Sequence, residues 1–149
     1  MQAIKLSDKF EIIDLALYFD STLVISDVHI GYEEAMNKKG IFLPRTQFAD
    51  IVKRMETIFE YMNGKEIQRI IINGDLKHEF GTISEQEWRN ALKFLDMLAK
   101  KCKEIVLIKG NHDSILGPIA GKRNIKIVDH YRTDDVLIAH GDKILMKKS

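Results

Sequence analysis

The chain has 149 residues, 45% of them apolar and only two of them proline, which excludes a disordered or collagen-like class and lets one domain bury most of a single core. Lys and Arg number 23 against 22 Asp and Glu, a net charge of +1, so bulk charge carries no nucleic-acid footprint and such binding would need a local patch. No run approaches the roughly 18 apolar residues of a membrane span, Met1 to Asp8 lack the apolar core of a secretion signal, and the lone Cys102 cannot close an internal disulfide, so a cytoplasmic protein without membrane contact is expected.

In chain order, Leu15-Ala16-Leu17-Tyr18-Phe19 and Thr22-Leu23-Val24-Ile25-Ser26 flank the pair Asp20-Ser21, as two strands of a β-hairpin do. From Gln47 to Met62 the apolar residues Phe48, Ile51, Val52, Met55, Ile58, Phe59 and Met62 fall on one helical stripe, closed by Asn63-Gly64. Arg69 to Asn73, centred on Ile70-Ile71-Ile72, reads as a buried strand. Ser84 and Glu87 have the spacing of a capping box, and Trp88, Ala91, Leu92, Leu95 and Leu98 form the core face of the helix that follows. Glu104 to Ile108 is a further buried strand. Two short strands, Ile125 to Val128 and Val136 to Ala139, come after a loop containing Gly and Pro. The alternation of strand and helix predicts an α/β fold in one domain over residues 1–149, with a largely parallel central sheet.

In open α/β sheets the ligand lies beyond the carboxyl ends of the strands, and the polar clusters of this sequence all fall there. Asp27 and His29 stand on alternate residues as a strand runs out, so both can reach one cation. A carboxylate beside an imidazole suits Mn, Fe or Zn better than Ca or Mg. Asp75, behind Gly74, can use both carboxylate oxygens to bridge two metals. Asn111 offers a neutral amide carbonyl. His112 beside it, if free of metal, can donate a proton or stabilise an oxyanion. His140, before Gly141, offers another imidazole. Each piece alone is also found in ordinary polar turns; four of them, in order and each after an apolar strand, are hard to reach by chance. Arg45 and the pairs Lys38-Lys39, Lys53-Arg54 and Lys122-Arg123 could contact phosphates, but at this charge balance they read as solvated surface. His130, after Val128-Asp129, reads as an ordinary loop histidine.

The order Asp-x-His, Gly-Asp-x-x-His, Gly-Asn-His-Asp and His-Gly resembles the calcineurin-like metallophosphoesterase superfamily. Gly74-Asp75-Leu76-Lys77-His78 resembles its SbcD-type nuclease branch, which has histidine where protein phosphatases have aspartate. The longer strings Ser26-Asp27-Val28-His29-Ile30-Gly31-Tyr32-Glu33 and Asn73-Gly74-Asp75-Leu76-Lys77-His78-Glu79-Phe80-Gly81 are similar to small SbcD-related phosphoesterases. The resemblance implies an α/β/β/α sandwich holding two divalent cations, Mn foremost, with Fe, Zn or Ni as alternatives. Asp27 and His29 would bind the first metal, Asn111 and His140 the second, and Asp75 would bridge them. His112 would face the scissile phosphate, held in orientation by His78. The implied activity is cleavage of phosphodiester bonds by metal-activated hydroxide, with nucleic acid or a nucleotide as substrate.

The family pattern closes with Gly-His-x-His, whose two histidines complete the two metal sites, and no such motif precedes Ser149. The expectation is therefore an incomplete second sheet, weak or partial metal occupancy, and apolar surface that drives self-association as a homodimer. The rival reading is a truncated, inactive or partner-dependent phosphoesterase-like protein.

Overall fold

The computed structural model describes residues 3–26, 47–73, 85–108, 125–133 and 136–139. Strands β1 (Ala3–Lys5), β2 (Glu11–Ile13), β3 (Ala16–Phe19) and β4 (Thr22–Ser26) come first, followed by helix α1 (Gln47–Tyr61) and strand β5 (Arg69–Asn73). Helix α2 (Glu85–Ala99) leads to β6 (Glu104–Ile108), β7 (Lys126–Val128), β8 (His130–Arg132) and β9 (Leu137–Ala139). Strands β1 to β7 form one sheet in chain order, and β8 and β9 form a second, two-stranded sheet.

The first sheet is mixed, which corrects the expected largely parallel one: β1 to β4 pair antiparallel, and β4 to β7 pair parallel. The reason is connection length. Two-residue links at Asp14-Leu15 and Asp20-Ser21 can only reverse the chain, whereas a parallel neighbour needs a long crossover. Asp20 and Ser21 both have positive φ, 46° and 57°, the handedness that matches the twist of a tight hairpin. The helical stripes close as read. Asn63 N–H donates to the Glu60 carbonyl and Lys65 N–H to that of Met62, while Gly64 takes φ 89° at the end of α1. Ser84 and the side chains of Glu87, Trp88 and Ala91 lie outside the described residues.

Strand alternation divides the apolar residues between two faces. On one, Ile13, Ala16, Leu23, Ile25, Ile70, Ile72, Ile105 and Leu107 pack against Met55, Ile58, Phe59 and Met62 of α1 and its end, and Phe94, Leu95 and Leu98 of α2. On the other, Phe19, Val24, Ile71, Val106 and Ile108 pack with Ile138 of β9, and Tyr131 of β8 joins them. The order is helices, sheet, second sheet. Among the described residues the second sheet has two strands, fewer than needed to cover seven.

Two carbonyls, each accepting two N–H groups, set the register of the parallel strands at their amino ends. The Ser21 carbonyl accepts from the N–H of Gln68 and Arg69, at 2.8 and 3.3 Å, and the Gln68 carbonyl from those of Lys103 and Glu104, both at 3.1 Å. Since β4, β5 and β6 are each five residues long, a level start produces a level finish.

Candidate metal centre at the strand ends

That level finish is the framework of the candidate site. Ser26 is the register partner of Asn73, and Asn73 of Ile108. All three side chains belong to the face that meets the second sheet, by alternation from Val24, Ile71 and Val106. In sequence, Asp27 follows Ser26 directly, Asp75 lies two residues past Asn73, Asn111 three past Ile108, and His140 directly past Ala139. Asp27, His29, Asp75, His78, Asn111, His112 and His140 themselves lie outside the described residues, as do Lys38, Lys39, Arg45, Lys122 and Arg123. Among the described residues no three His, Cys, Asp or Glu gather as a metal site would require.

The second sheet reaches the same edge. Strand β5 holds it with three successive residues of one face. At the amino end the Arg69 guanidinium lies over the Tyr131 ring, Cζ 5.2 Å from its centroid, a cation–π contact. In the middle Ile71 belongs to the apolar cluster with Ile138. At the carboxyl end Asn73 Nδ2 donates to the Ala139 carbonyl at 3.2 Å. A carbonyl can only accept, which fixes the orientation of the Asn73 amide. Its Oδ1 is then sealed from solvent with no partner among the described residues. Leaving such an acceptor unmatched costs about 1–3 kcal/mol.

Asn73 is the residue that sequence reading missed. In the sequence it reads only as the last residue of a strand, and its signal is a polar amide ending an Ile-Ile-Ile run. His130, expected in a loop, opens β8 instead, as the register partner of Ala139. Paired residues of an antiparallel ladder share a face, and Tyr131 and Ile138 occupy the inner one, so His130 points outward and is exposed. It is on the edge but turned from the site.

An open groove of about 530 Å³ runs back from this edge, lined by Leu17, Val24, Ser26, Asn73, Leu137 and Ala139 among others. Of the basic residues weighed as phosphate contacts, Arg54 is engaged elsewhere: its Nε and Nη2 donate to the two Asp14 carboxylate oxygens at 3.0 and 3.1 Å. Those bonds hold the Asp14 carboxyl below its ordinary range and push the guanidinium of Arg54 up.

Comparison with known proteins agrees with this framework. The family model of the calcineurin-like phosphoesterases matches residues 21–148. Among solved structures, a nuclease MPE from Pseudomonas putida superposes with a TM-score of 0.63 at 21% identity, covering 89% of this chain and 62% of its own. At that identity the likeness is one of fold, and this chain spans under two thirds of the nuclease. The comparison with curated proteins returned no match.

Proposed function

Since the chain belongs to the calcineurin-like phosphoesterase family, we propose that it is a metal-dependent phosphoesterase acting on phosphodiester bonds, with nucleic acid or a nucleotide as substrate. The observation that carries this reading is the common finish of β4, β5 and β6, with β9 bonded to the same edge through Asn73. Every segment bearing a candidate ligand leaves the described framework from there.

The donor set fits divalent metals of the Mn, Fe, Zn or Ni kind: two carboxylates from Asp27 and Asp75, two imidazoles from His29 and His140, and the Asn111 carbonyl. In this reading Asp27 and His29 would hold one cation, Asn111 and His140 the other, and Asp75 would serve both. Bound cations supply Lewis acidity and a lowered pKa for the attacking water. His112 stays off the metals and hands a proton to the leaving oxygen, and His78 keeps its ring in line. The SbcD-related branch within the family rests on His78 in Gly-Asp-x-x-His and on the longer strings Ser26 to Glu33 and Asn73 to Gly81, and the nucleic-acid preference rests on that branch. That the fold neighbour is a nuclease is in keeping with the nucleic-acid preference.

The test is hydrolysis of bis-p-nitrophenyl phosphate and p-nitrophenyl phosphate with added Mn²⁺. Wild type should favour the diester, lose activity to EDTA and regain it with Mn²⁺. His112→Ala and Asp75→Asn should each lower the rate at least about 100-fold, the scale of a lost proton donor or metal ligand. The same background in wild type and both variants would reject catalysis by this chain alone and favour a partner-dependent or inactive member.

A further inference from the structure

We infer that Asn73 is a positioning residue of the site: it bonds the carboxyl end of β9 to the carboxyl end of β5, and so sets the position of the ends from which the ligand segments leave. The inference rests on the phosphoesterase reading and adds to it a residue outside the ligand set.

Three observations converge on this amide. The first is its place. Asn73 ends β5, a strand with parallel neighbours on both sides, and Asp75 is two residues further on. The second is its bond. The Nδ2 donation to Ala139 at 3.2 Å joins residues 66 apart in sequence, and His140 comes immediately after the acceptor. The apolar cluster that Ile71 and Ile138 share brings the sheets together but leaves β9 free to slide, because burial is non-directional. A hydrogen bond to one carbonyl fixes the slide. The third is the remaining half of the amide. Oδ1 is sealed, without a partner among the described residues, and lies at the same edge. Groups that hold metal ligands from behind use such acceptors to fix ring tautomer and backbone direction. One side chain thus serves both sheets: its donor takes the second sheet, and its acceptor is available to the segments that begin at the edge. Neither Asp nor Leu can do both. A carboxylate would oppose the Ala139 carbonyl, and an isobutyl group offers no polar atom.

The experiment uses the full chain, metal-free, with Asn73→Leu as the volume-matched variant and Asn73→Ser as a smaller donor should the first fail to fold. Leu98→Ala, on the helix face, serves as a control that lowers stability without touching the edge. Two quantities are read: amide exchange protection of β9 relative to β6, and Mn²⁺ affinity from the paramagnetic resonance of the free ion. Asn73→Leu should lose about tenfold or more in Mn²⁺ affinity, the usual effect of removing an outer partner of metal ligands. It should also expose β9 to exchange while β6 stays protected. Leu98→Ala should do neither at a temperature where it is folded, and Asn73→Ser should fall between. Unchanged Mn²⁺ affinity in Asn73→Leu, with wild type binding normally, overturns the positioning role. No Mn²⁺ binding by wild type overturns the phosphoesterase reading instead, while unchanged β9 protection alone shows that the bond does not hold the sheet.

Discussion

Glu104 lies directly across the parallel ladder from Arg69 and accepts its Nε–H at 2.7 Å, and Lys126 approaches the other carboxylate oxygen at 3.5 Å. The Arg69 hydrogen bond, reinforced by the two positive charges, holds the Glu104 carboxyl below its ordinary value. A depressed carboxylate stabilises the fold in full above its unfolded value, about 4.3, and loses that contribution as pH falls through the lower folded value. Glu104→Gln should therefore cost little, up to about 1 kcal/mol at pH 7 for a pair this exposed, and the gap between wild type and variant should narrow below about pH 4. Urea unfolding at both pH values measures it; a constant gap would disprove the assignment. Arg69 shows why such residues resist sequence reading. It looks like a strand-edge charge, yet it also caps Tyr131 of the second sheet. Asn73 is the same case at the other end of β5. Both interactions join residues distant in sequence, and no local pattern records them.

At the scale of elements, the hairpin, both helices and the central strands follow from local chemistry. The turn pair Asp20-Ser21, the α1 stripe and the runs at Ile70-Ile71-Ile72 and Glu104 to Ile108 appear where periodicity and turn residues put them. Strands β1, β2 and β8 were not anticipated. Each has three residues, too few for an alternation to show, and β1 is exposed along its whole length. Gly64 tests the end of α1. Its φ of 89° lies where L side chains are rarely found, while an added Cβ would meet nothing within 4 Å. Gly64→Ala should cost about 1–2 kcal/mol through backbone strain alone, read from the urea midpoint with an unchanged slope. A loss well beyond that would mean that the packing of α1 had changed.

For the whole molecule, two features govern behaviour. No helix among the described residues is long and apolar enough to cross a membrane. Among the described residues the second sheet covers only part of the first, with Leu6 and Leu137 exposed beside the groove and Ile4 exposed on the edge strand. Contiguous apolar surface of this kind favours association, and we propose that the chain forms a homodimer. Sedimentation velocity across a concentration series should show a shift from monomer to dimer; a monomer at every concentration would reject it.

By itself the sequence determined the elements with strong local signals, and the order in which the Asp-x-His, Gly-Asp, Gly-Asn-His and His-Gly clusters follow apolar strands. Those depend on periodicity and turn chemistry, which act over a few residues. Only the tertiary structure decided that the first sheet is half antiparallel, that β4, β5 and β6 finish level, and that β9 is bonded to that finish by Asn73. Register and sheet-on-sheet docking are set by hydrogen bonds and packing between residues tens of positions apart, and side-chain alternation alone fits more than one such pairing.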